Sequence, residues 1–112
     1  MKGDKIGELE ELVLLAVGSL YDGAYAVRIV NALNEHTTRQ FDVTAIHSVL
    51  RRLEKKGFVR SEMGGATSDR GGRRKRLFWL TKVGLRNLDE SMATRMTLYN
   101  KISRLTFNVV FS

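Results

Sequence analysis

Arg51, Arg52 and Lys55 lie within five residues of one another, and Arg73, Arg74 and Arg76 begin twenty-one residues after Arg52. Guanidinium and ammonium groups donate to phosphate oxygens, and a guanidinium fork also matches the major-groove edge of guanine. Thr44, His47 and Ser48 precede the first cluster and add short hydrogen-bonding side chains, the kind that reach base edges at close range. From His47 to Arg86 there are twelve Lys and Arg against three acids, Glu54, Glu62 and Asp69, a net +9. The whole chain carries +7, so the remainder sums to −2 and the positive field is localised. A localised cationic field attracts a polyanion, and phosphate contacts supply most sequence-independent affinity for nucleic acid.

Other chemistries lack their residues. The chain has no cysteine, which removes disulfides, thiolate nucleophiles and thiolate metal sites and makes a reducing cytoplasm the default. His36 and His47 are the two histidines, and neither sits in a ligand spacing such as HExxH. No phosphate-cradling glycine motif follows a strand and opens a helix. Glu8, Glu10 and Glu11 crowd what reads as the first turn of a helix, where carboxylates complement the dipole. These observations predict no enzyme activity, no metal and no cofactor. The acidic N-terminal segment is unlike a secretion signal, and the nearly apolar run from Leu12 to Tyr21 is too short to cross a bilayer. The length of 112 residues is that of one domain.

Periodicity supplies the elements that position the cations. Ile6, Leu9, Val13, Ala16, Val17 and Leu20 keep the three-and-four spacing of an amphipathic helix, widened by Leu12, Leu14 and Leu15. Asp22 and Gly23 break it, with Asp22 as the expected N-cap of a second helix whose stripe is Tyr25, Ala26, Ile29, Val30 and Leu33. A third helix starts near Asp42 to Thr44, with either residue as cap, and buries Ile46, Val49, Leu50 and Leu53. Its opposite face carries Thr44, Ser48, Arg51 and Lys55, flanked by His47 and Arg52. Gly57 ends it.

Phe58, Val59, Ser61 and Met63 form a strand, Gly64 to Gly72 a loop with four glycines, and Arg74 to Leu80 the return strand. Alternation means that Arg73, Arg74, Lys75 and Arg76 cannot all face one ligand. Trp79 reads as packing at the base of this hairpin rather than as a ligand platform. Thr81 caps a last helix with the apolar stripe Leu85, Leu88, Met92, Met96, Tyr99, Ile102 and Leu105. A stripe sustained for about three heptads predicts a partner helix, and Leu85, Leu88, Met92, Tyr99 and Ile102 are its expected dimer contacts. The apolar tail from Leu105 to Ser112 either packs on a partner or ends the chain.

A basic helix followed by a basic hairpin has the outline of a winged helix-turn-helix. The wording of four segments resembles small PadR-like transcriptional repressors. They are GELEELVLLAV at residues 7–17, AYAVRI at 24–29, VLRRLEKKGFV at 49–59 and RGGRRKRLFWLTKVG at 70–84. The resemblance spans nearly the whole chain. It implies a homodimer on a roughly palindromic operator in double-stranded DNA, held together largely by the last helix, often against the partner's first helix. It also implies a response to small aromatic compounds or drugs, or to other signals. His47 stands where the family usually has Tyr, and Val83 where it usually has Pro. The one tryptophan, Trp79, lies on the wing strand rather than the last helix, so the flat-ligand sandwich of some relatives does not transfer.

The expected fold is therefore α+β and mostly α, with a winged helix-turn-helix over residues 1–81 and a dimerisation helix and tail over 82–112, forming one structural unit. The expected function is sequence-specific DNA-binding transcriptional regulation, as a repressor. The competing expectation is a winged-helix module for protein contact, which has no need of Arg51, Lys55 and the 73–76 cluster together.

Overall fold

The computed structural model describes residues 6–64 and 75–105. It contains four helices and two strands: α1 (Glu8–Ser19), α2 (Ala26–His36), α3 (Val43–Lys55), β1 (Val59–Met63), β2 (Arg76–Leu80) and α4 (Lys82–Asn100). Helices α1, α2 and α3 bury their apolar stripes against one another. Val13, Leu14 and Val17 of α1 meet Ile29, Val30 and Leu33 of α2 and Ile46, Val49, Leu50 and Leu53 of α3 in one core. Each such side chain contributes roughly 1.5–3 kcal/mol by leaving water. Phe58, Val59, Phe78 and Leu88 extend the same core under the hairpin and the start of α4.

The strands pair antiparallel, with Val59 opposite Leu80 and Met63 opposite Arg76. A backbone hydrogen bond also ties the hairpin to the α1–α2 connection, where the Phe78 N–H donates to the Ala24 carbonyl at 2.8 Å. That pairing explains why Asp22 does not cap α2. The chain turns at Gly23, whose φ is +138°, and runs extended through Ala24 and Tyr25 before the helix begins. Tyr25 holds the N-cap position without a side-chain bond, and Asp22 pairs with Arg28 at 3.1 Å instead.

Between α2 and α3 the turn is fixed by Asn34. Its Oδ1 accepts the Phe41 N–H at 2.7 Å and its Nδ2 donates to the Phe41 carbonyl at 3.2 Å. Asp42 is the cap of α3, accepting the Ala45 N–H at 2.9 Å, an arrangement worth about 1 kcal/mol. Gly57 follows with φ +83°, a conformation that favours glycine, and lets the chain leave α3 directly into β1.

Helix α4 is capped by Thr81, as its sequence predicts, but ends at Asn100 rather than continuing through Leu105. Its first turns pack on the body, and from Ala93 onward every residue of the helix is exposed. At the helix end the Lys101 and Ile102 N–H groups donate to the Leu98 and Tyr99 carbonyls, three residues back, at 3.0 and 3.1 Å, which tightens and closes the last turn. The radius of gyration is 17.3 Å, against about 13 Å for a compact chain of this length.

Candidate nucleic-acid interface

Arginine and lysine doublets give α3 its chemistry. Arg51–Arg52 and Lys55–Lys56 are four residues apart, and successive residues of a helix point about 100° apart. The first member of each doublet therefore lies on the outer face with Thr44 and Ser48. All four side chains are exposed, and Arg51 and Lys55 form no ion pair among the described residues. The second members, Arg52 and Lys56, turn to the α1 flank. There the Glu10 carboxylate accepts Lys56 Nζ at 3.0 and 3.2 Å and lies 3.6 Å from Arg52 Nε.

Glu10 is the one charged side chain buried among the described residues, at 8% exposure. Burial raises its pKa, but the Gly7 N–H, the Lys56 hydrogen bonds and the charges of Lys56 and Arg52 outweigh that and hold it below the ordinary value.

The opposite flank of α3 is tied to the hairpin. The Ser61 hydroxyl donates to Glu54 at 2.7 Å, and Arg76 Nη1 donates to the same hydroxyl at 3.0 Å. The expected DNA-contacting set is thus divided by the fold. Thr44, Ser48, Arg51 and Lys55 share an open face with His47 exposed beside it, whereas Arg52 and Arg76 are engaged with groups of the protein. Arg73 and Arg74, with most of the glycine loop, lie outside the described residues.

The acids of α1 do more than complement its dipole. Glu8 pairs with Arg39 at 3.5 Å before α3, Glu10 with the end of α3, and Glu11 with Ser91 and Arg95 of α4 at 2.5 and 3.3 Å. Helical spacing places all three in one turn, but only the folded packing brings three other segments to them. Lys75 figured in the sequence only as one of the four cations at 73–76. Its ammonium lies 4.1 Å from the centre of the Tyr25 ring, beside the start of α2. Trp79 is half-buried rather than enclosed in the hairpin base, with the Arg60 guanidinium 4.8 Å from its ring centre.

Along α4, Leu88 is already 5% exposed within its own chain, and Met92 is half-buried. Leu85, Met96 and Tyr99 remain 49%, 53% and 55% exposed. Ile102 is exposed and lies beyond the helix end. A second uncovered apolar surface lies between α1 and α2, a groove of about 360 Å³ lined by Leu12, Leu15, Ala16, Leu33, His36 and Thr37 among others. Among the described residues no group of three or more His, Cys, Asp or Glu gathers as a metal site, and no helix is long and apolar enough to cross a membrane.

Comparison with solved structures returns the same architecture. A PadR family transcriptional regulator from Eggerthella lenta is 28% identical, with 88% of this chain and 86% of that one covered at a TM-score of 0.65. A PadR family transcription regulator from Clostridium difficile superposes with a TM-score of 0.72 over 95% of this chain and all of that one, at 18% identity. Bacillus subtilis PadR, solved in complex with operator DNA, is 16% identical, with a TM-score of 0.65 over 79% of this chain and 48% of its own. Among curated proteins no sequence matches. The family model described as the transcriptional regulator PadR-like family matches residues 13–90, from the middle of α1 into the first half of α4. A match over that span, on a winged-helix frame of the same shape, places the chain in the PadR-like family of transcriptional regulators.

Proposed function

We propose that the protein binds double-stranded DNA in a sequence-specific manner and acts as a repressor, as a homodimer on a roughly palindromic operator. The observation that carries this reading is the open face of α3. Thr44, Ser48, Arg51 and Lys55 are exposed together, while both flanks of the helix are fastened to the rest of the fold. A helix held in this way presents hydrogen-bonding side chains and cations at fixed angles, as major-groove readout requires. His47 joins the face from the hairpin side, and Arg73 and Arg74 of the hairpin are the expected contacts to the sugar-phosphate backbone. The operator complex of Bacillus subtilis PadR, a protein of the same fold, supports the assignment.

Two uncovered surfaces support the homodimer. The outer stripe of α4, with Leu85, Met92, Met96 and Tyr99, and the groove between α1 and α2 both lack cover within one chain. A two-fold pairing buries each against a second copy and fixes the spacing of two α3 helices near one turn of B-DNA or a small multiple. A cavity of a few hundred Å³ at such a seam is the size of a small aromatic effector, which would act by changing the angle between the two halves.

Selection from a random DNA pool tests the assignment. The expected result is enrichment of one motif with two related half-sites. Equal affinity for every duplex would instead leave a winged-helix module for protein contact.

A further inference from the structure

Burying a carboxylate costs several kcal/mol unless cations and hydrogen-bond donors compensate. At Glu10 the compensation comes from the two members of the α3 doublets that do not face outward. The same carboxylate also accepts the Gly7 N–H at 2.9 Å, which fixes it to the start of α1. The Lys56 side chain is 24% exposed, whereas that of Arg52 is 56% exposed, so Arg52 has open solvent within reach. Glu10 therefore competes with any external anion for a guanidinium one residue from Arg51.

We propose that Glu10 is a positioning residue of the DNA-binding surface. It withdraws Arg52 and Lys56 from the phosphate-binding set and fastens the C-terminal half of α3 to α1. Arg51 and Lys55 then carry the charge that α3 presents to a duplex. Uncompensated, Arg52 and Lys56 would add sequence-independent attraction on the flank of the helix. Such attraction strengthens binding to any DNA and dilutes discrimination by the outer face. The inference rests on the DNA-binding reading above.

The test is the salt dependence of binding to a random duplex and to the selected operator, for wild-type and Glu10→Gln protein, with folding checked by thermal melting. Glutamine keeps the size of the side chain and removes its charge. The expected result is a log–log salt slope steeper by about 0.9 for each phosphate gained per subunit, and a lower operator-to-random affinity ratio. Adding Arg52→Gln to Glu10→Gln should restore most of the original slope. A folded Glu10→Gln protein with an unchanged or shallower slope overturns the proposal. If that variant does not fold, Arg52→Gln alone decides the matter. A fall of about 0.9 per subunit in slope places the guanidinium on a phosphate and overturns the proposal, and a small fraction of that supports it. A wild-type protein without salt-dependent DNA binding removes the DNA-binding reading and this assignment together. Unchanged slopes in a protein that does select an operator remove only the role of Glu10.

Discussion

Gly84 lies directly against the carbonyl of Phe58. A Cβ at position 84 would fall well inside van der Waals contact with that oxygen and at 3.0 Å from Leu80 Cδ1. The first turn of α4 can approach the start of β1 only because the side chain is absent. Gly84→Ala must displace backbone rather than a flexible side chain. It is expected to cost about 2–3 kcal/mol, read as a lower urea midpoint with unchanged slope. A midpoint equal to wild type would mean that the helix moves away without penalty.

Thr81 makes the companion contact. Its hydroxyl donates to the Gly57 carbonyl at 2.7 Å and accepts the Gly84 N–H at 3.0 Å, joining the ends of α3 and α4. Thr81→Val keeps the shape and loses both bonds, for an expected loss of about 1–2 kcal/mol, whereas Thr81→Ser should recover most of it. Equal melting temperatures for the Val and Ser variants would show that the hydroxyl is idle.

Protonation of Glu10 should be visible in stability. Its pKa is lowered in the folded chain, so its contribution is complete above the ordinary value of 4.5 and is lost as pH falls through the lowered folded value. Thermal stability is expected to decline below about pH 4.5, with Glu10→Gln less stable near neutrality and flatter in acid. Parallel pH profiles for the two proteins would place the acid sensitivity elsewhere.

These three contacts show what was legible before folding and what was not. Thr81 was readable as a cap, and Asp42 as one of two candidates with Thr44, because a cap bonds within its own first turn; the folded chain uses Asp42. The α3 stripe, Ile46 to Leu53, was readable because period alone selects the buried face. Asp22 was misread because Ala24 is claimed by Phe78, a partner fifty-four residues away. The three acids of α1 were seen only as dipole partners for the same reason, since Arg39, Lys56 and Arg95 reach them through tertiary packing. Helical period set Arg51 on the outer face of α3 and Arg52 on its flank, but not what Arg52 meets there. That partner is a single carboxylate forty-two residues upstream of Arg52.

Base preference should follow the outer face of α3. Arg51→Ala or Ser48→Ala is expected to change which bases are enriched, at about 1–3 kcal/mol for each lost base contact. Val83→Ala, exposed on α4, serves as the control with an unaltered motif. Identical motifs for Arg51→Ala, Ser48→Ala and wild type would take both residues out of the recognition set.

The proposed dimer is better tested at Leu85 and Tyr99 than at Leu88, because Leu88 belongs to the core of its own chain. Leu85→Asp with Tyr99→Asp places charge on the exposed stripe and leaves that core intact. Sedimentation is expected to show monomers, with retained helix content and greatly reduced operator affinity. A double variant that stays dimeric would put the contact on the α1–α2 groove without α4.

The hydrogen bond from Phe78 to Ala24 also bears on how the chain behaves in crowded solution. A bare hairpin has two open edges, and each is a template on which another extended chain can grow. Here the second strand is met on its far side at Ala24, so the outer edge of β1 is the longer stretch left open. That edge carries Arg60 and Glu62, paired with each other at 3.4 Å. A strand from a stranger would have to desolvate both charges to add on. Charges at that position disfavour edge-to-edge pairing between copies of the strand.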